Sequence, residues 1–176
     1  MFSTAFLLAA SMAVGQADEP IAPTADDYLA FVRAFFPGTW DYKVTTRAGS
    51  VVEQGVMEAE IGANQRCAVT IQTAEGQARK HTAIHGYDPG AKCWRVLQFS
   101  GDDSMLEMKV YISPETLAAR NFENLKYRHQ NTLTTADGTR IENDWEATII
   151  DRDTLELRRV SGDDDGPAIM RLVRKK

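Results

Sequence analysis

Phe36-Pro37-Gly38-Thr39-Trp40-Asp41-Tyr42 is where helical spacing gives way to alternation. Proline fixes φ and has no N–H to donate, and glycine accepts turn conformations, so Pro37 and Gly38 end whatever helix precedes them. Beyond them Trp40, Tyr42 and Val44 alternate with Asp41, Lys43 and Thr45. That is the period of a half-buried strand.

Upstream, Tyr28, Phe31, Val32, Phe35 and Phe36 recur at three- and four-residue spacing, which lays one apolar stripe along a helix. Thr24 with Asp27 three residues on supplies a capping box for its start. The segment 18–36 therefore reads as a polar lead and an amphipathic helix, and 37–176 as the remaining domain. Met1 to Ala17 contains no charged side chain, has an apolar core over Ala5 to Val14, and ends in Gly15-Gln16-Ala17. This is the pattern of a signal peptide, too short for a membrane span, and it predicts export to the periplasm or the extracellular space.

Downstream, strand patterns follow one another to the C-terminus. Met57, Ala59 and Ile61 oppose Glu58 and Glu60; Cys67, Val69 and Ile71 oppose Ala68, Thr70 and Gln72; Leu106, Met108, Val110 and Ile112 oppose Glu107 and Lys109. Lys80 to Tyr87, Trp94 to Ser100, Tyr127 to Thr135, Arg140 to Ile150, Thr154 to Ser161 and Ala168 to Arg174 complete a set of roughly ten strands. Asp88-Pro89-Gly90 and Asp137-Gly138 mark turns, the second being a strong hairpin signal. Pro114 to Asn124 is the irregular stretch, open to a helical turn or a short edge strand. With no helical crossover among them the strands are antiparallel, in a meandering barrel or a sandwich. A barrel would have open ends for the N-terminal helix to cover.

The chain has 176 residues, enough for one domain, and a net charge of -5, which argues against nucleic acid and anionic membrane surfaces as partners. Export would permit a disulfide between Cys67 and Cys93. The two fall on strands with a third between them, about 9.6 Å apart, whereas a disulfide needs Cα atoms within about 7 Å. Free thiols are expected.

Gly38-Thr39-Trp40 after a helix resembles the signature of the lipocalin and fatty-acid-binding (calycin) superfamily. Together with Gly86-Tyr87-Asp88-Pro89, followed by Lys92 and Trp94, and Asp151-x-Asp153-Thr154-Leu155, it makes the chain similar to secreted bacterial DUF1579-type proteins of unassigned function. The resemblance spans about Phe36 to Lys176. It implies a single up-and-down, calycin-like β-barrel that binds a small hydrophobic or amphipathic molecule. It further implies that a late arginine packs across the first-strand tryptophan to join the ends of the barrel. Arg171 and Arg174 are both candidates to cover Trp40, and alternation does not choose between them.

No catalytic constellation is legible. His81 and His85 share a strand face but lie about 13 Å apart, too far to chelate one ion. Asp163-Asp164-Asp165-Gly166 lacks the alternating oxygens of a calcium loop. No nucleophile elbow, phosphate loop or nucleotide fingerprint occurs, so neither cofactor nor metal is implied. The chemistry that remains is a polar set on the strand faces. If Trp145, Ala147 and Ile149 point inward, Asn143 does too, and Tyr127, His129 and Asn131 share one face of the neighbouring strand, with Tyr42 following Trp40 on the first. Polar groups inside a barrel must be satisfied mutually, by water or by a ligand, which would make these six a binding cavity. The opposite reading puts the same face outside. Three functions follow in order: a non-catalytic carrier, an envelope interaction module with a filled barrel, and an enzyme using His129 as base.

Overall fold

The computed structural model describes residues 23–76, 80–119, 122–161 and 166–176. The expected signal peptide at 1–17 and the aspartates of the 163–165 loop lie outside these residues. Helix α1 (Ala25–Phe35) opens on the expected capping box: Asp27 N–H donates to Thr24 Oγ1, and Thr24 N–H to Asp27 Oδ2. It buries Tyr28, Leu29, Phe31, Val32 and Phe35.

Ten strands follow: β1 (Gly38–Thr45), β2 (Val51–Ile61), β3 (Cys67–Ala74), β4 (Lys80–Asp88), β5 (Cys93–Ser100), β6 (Met105–Tyr111), β7 (Lys126–Thr134), β8 (Arg140–Asp151), β9 (Thr154–Arg159) and β10 (Ile169–Arg174). Each pairs antiparallel with its neighbours in sequence, and β1 pairs with β10, so the sheet closes and keeps no free edge. The hairpin signals act as their chemistry requires. Thr139 N–H donates to Asp137 Oδ1, with Gly138 at φ 85°, and Gly90 N–H donates to Asp88 Oδ1.

Two details go beyond the sequence reading. The stretch after Pro114, open in the sequence to a helical turn or a short edge strand, forms a second helix, α2 (Pro114–Ala119); Ser113 starts it by accepting from Thr116 N–H at its hydroxyl and from Leu117 N–H at its carbonyl. On β3 the inward residues are Ala68 and Thr70, while Ile71 is left exposed. Alternation separates the two faces of that strand but does not say which of them turns inward.

Helix α1 lies across the end of the barrel where β1 begins and β10 ends. Phe31 makes edge contacts with Phe36, Phe122 and Tyr127 at centroid separations of 5.0–6.1 Å. The Tyr28 hydroxyl accepts from Ile112 N–H (3.3 Å) and donates to Val110 O (3.4 Å), which ties the helix to the strand wall. Burial of each such aromatic contributes about 1.5–3 kcal/mol. At the same end the guanidinium of Arg174 covers Trp40, while Arg171 faces outward beside Lys43. Cys67 and Cys93 are free thiols on strands separated by β4. No helix among the described residues is long and apolar enough to cross a membrane.

Candidate functional site

Strand alternation aims one set of side chains into the barrel, and α1 seals that interior at one end. What lies between is a cavity of about 430 Å³ with a largely apolar wall, including Phe31, Met57, Val96, Met108, Leu155 and Leu172. Of the six polar and aromatic residues singled out above, Tyr42, Tyr127, His129, Asn131 and Trp145 line it. Asn143 does not. It stands opposite Asn131 in register, accepts from Trp145 Nε1 at 2.6 Å, and borders a separate concavity with Lys109 and Gln130.

The polar groups fall into two clusters. Near the open rim, the Tyr42 hydroxyl donates to Glu53 Oε1 at 2.7 Å. His81 Nε2 lies 3.9 Å from the same oxygen, and His81 Nδ1 lies 2.7 Å from Ser100 Oγ. Burial and the bond to Glu53 both push the Tyr42 hydroxyl pKa up. Serine, histidine and carboxylate meet here, yet Glu53 is beyond hydrogen-bond range of His81. The N–H of Ser100 is also committed to Ser104 O, so it is not offered to an oxyanion. The array reads as a hydrogen-bonded rim.

The deeper cluster is different. Tyr127, His129 and Asn131 are successive inward residues of β7, and Trp94 lies on the rung that runs through Val110 to His129. All four are at least nine-tenths buried. Yet the Tyr127 hydroxyl, both ring nitrogens of His129, Asn131 Oδ1 and Trp94 Nε1 have no hydrogen-bond partner. Across the cavity on β4, His85 shares a 3.0 Å hydrogen bond with Thr70 Oγ1. Burial holds His129 at a pKa of about 4, and burial together with the neighbouring His129 does the same to His85. Both imidazoles are neutral at physiological pH. That makes His129 a poor general base, which needs a pKa near the working pH.

Sequence reasoning missed Glu53, His81, Ser100, Thr70, His85 and Trp94 as members of this interior. The signal for Glu53 was present: counting back in twos from Met57 through Gly55 reaches it. His81 and His85 were placed on one face, but nothing in the sequence said that the face was the inner one. A larger groove, about 880 Å³, runs over the outer face between β10 and β3, past Asp41, Lys43, Gln54 and Arg171. It contains none of the buried unpartnered atoms, so the interior is the stronger site. Among the described residues no group of three His, Cys, Asp or Glu side chains is placed to hold a metal ion.

The fold and site together define a closed, ten-stranded meander barrel with a polar-studded internal cavity. No family model matches the chain, and no curated protein matches it. Among solved structures, it is similar to a de novo designed fluorescence-activating β-barrel, with 18% identity over 82% of this chain and 97% of that one, at a TM-score of 0.33. A likeness that slight carries no argument about ligand or activity.

Proposed function

We propose that this chain is an exported, non-catalytic binding protein that holds a small, partly apolar molecule inside its barrel. The observation that carries the reading is the deep cluster: five buried polar atoms without partners, on Tyr127, His129, Asn131 and Trp94, belong to residues that line one cavity. Leaving such groups unsatisfied costs about 1–3 kcal/mol each, so a fold keeps them where a guest completes their bonds. The apolar wall supplies affinity and the few polar groups supply orientation. The uncharged, apolar Met1–Ala17 stretch supports export, and the Gly38-Thr39-Trp40 opening with an arginine across Trp40 supports kinship with calycin carriers.

A titration with the neutral dye Nile red tests the reading. Saturable fluorescence enhancement that Ala83→Phe abolishes, in a variant that still melts cooperatively, is expected, because Ala83 faces the cavity from β4. Absence of any binding would overturn it.

A second reading has its own observation. Ile71, Ile84 and Phe99 are exposed on the outer faces of adjoining strands β3, β4 and β5. An apolar patch of that kind favours an envelope interaction module. If Nile red binding survives Ala83→Phe but is lost in Phe99→Ser, the patch rather than the cavity is the working surface.

A further inference from the structure

We infer that the cavity selects an uncharged headgroup able both to donate and to accept hydrogen bonds, such as a primary amide or hydroxyl, seated among Tyr127, His129, Asn131 and Trp94. The inference rests on the cavity reading above and adds the chemical class and orientation of the guest.

The unpartnered atoms set the requirement. Trp94 Nε1 can only donate, and Asn131 Oδ1 can only accept. A neutral imidazole has one nitrogen of each kind, and both nitrogens of His129 are open; the Tyr127 hydroxyl can do either. A guest that only accepts would leave the acceptor on Asn131 bare, and one that only donates would leave the indole N–H bare. A primary amide or a hydroxyl serves both.

Charge narrows the class further. No Lys or Arg lines the cavity among the described residues. A carboxylate at the deep end would meet neutral imidazoles and no fixed cation, and burying an unpaired charge is strongly unfavourable. The carboxylates in the wall are Glu53, which already accepts from Tyr42, and the exposed Asp102; both belong to the rim. A cationic head would therefore be drawn to the rim, not to the deep cluster. Tails fit the remainder: Met57, Val96, Met108, Leu155 and Leu172 continue the wall in apolar surface.

Calorimetric titration of the folded protein with octanamide, octanoate and octylammonium at pH 7.5 tests this, with His129→Phe and Asn131→Leu variants checked for cooperative melting. Octanamide is expected to bind at least tenfold more tightly than octanoate, and each variant is expected to erase that preference while still melting cooperatively. Equal or tighter octanoate or octylammonium binding would overturn the inference and leave the cavity reading standing. So would a preference for octanamide that neither variant changes, or Nile red binding with no amphiphile binding at all. If neither Nile red nor any amphiphile binds, both readings fall together.

Discussion

The guanidinium carbon of Arg174 sits 4.0 Å from the centroid of the Trp40 ring, across the β1–β10 seam where the two residues are register partners. The same guanidinium donates to the carbonyls of Phe35 and Pro37, each at 2.5 Å, and to Asp153 Oδ1 at 3.1 Å. One side chain thus joins the end of α1, the first strand, the last strand and the β8–β9 turn. The Trp40 indole N–H adds its own bond to Phe36 O at 2.9 Å.

Arg174→Ala should therefore destabilise the fold by about 2–4 kcal/mol, since it removes a cation–π contact and leaves two carbonyls without donors. Arg174→Lys should recover only part of that, because an ammonium lacks the planar fork. Arg171→Ala, on the outward face, should change stability by less than about 0.5 kcal/mol. Urea unfolding of the three variants makes the comparison, and equal losses at 171 and 174 would contradict the assignment.

The two buried histidines give the stability a pH dependence of defined sign. His85 and His129 titrate at about 4 in the folded barrel, against about 6.5 in the unfolded chain. As pH falls, the unfolded chain takes up protons first. Stability from these groups is complete above about pH 6.5, declines between about 6.5 and 4, and is level below that. Each contributes a slope of up to about 1.4 kcal/mol per pH unit. Urea midpoints at pH 7.5, 6.0 and 5.0 should fall in order, and His129→Phe should shallow the decline. A flat profile over that range would mean that the imidazoles are solvated.

Gly55 is required by a close approach of backbone. A Cβ added there would lie 2.1 Å from the Thr73 carbonyl oxygen on β3, and backbone cannot yield as a side chain can. Gly55→Ala should cost more than about 2 kcal/mol, whereas Gly86→Ala, with open space at its Cβ, should be near neutral. Thermal melting of the pair distinguishes a steric requirement from a general intolerance of side chains in the strands.

Much of the architecture was legible because it is written in local chemistry. Period-two alternation, the Asp137-Gly138 hairpin, the Asp88 turn and the Thr24–Asp27 box each act over a few residues, and each forms as read. What stayed illegible depends on which face closes inward. The choice between Arg171 and Arg174 is settled by register with β1, a contact 134 residues away in the sequence. Thr70 is buried and Ile71 exposed, a choice of face that alternation along β3 does not make. The six interior candidates came from β7, β8 and Tyr42 on β1; counting back from Met57 reaches Glu53 on β2, but the partners that complete the cavity from β4 and β5 were out of reach of any local pattern. Asn143 shows the limit of face-sharing as an argument: alternation puts it on the inner face, yet its amide is engaged with Trp145 at the edge, away from the main cavity.

Native mass spectrometry of the protein purified gently from its own source, beside a denatured control, tests the central claim most directly. The predicted result is a discrete mass excess that disappears on denaturation, with a retained molecule that is uncharged and carries a hydroxyl or amide. A bare polypeptide mass that stays bare after incubation with octanamide and Nile red would contradict a ligand-holding barrel.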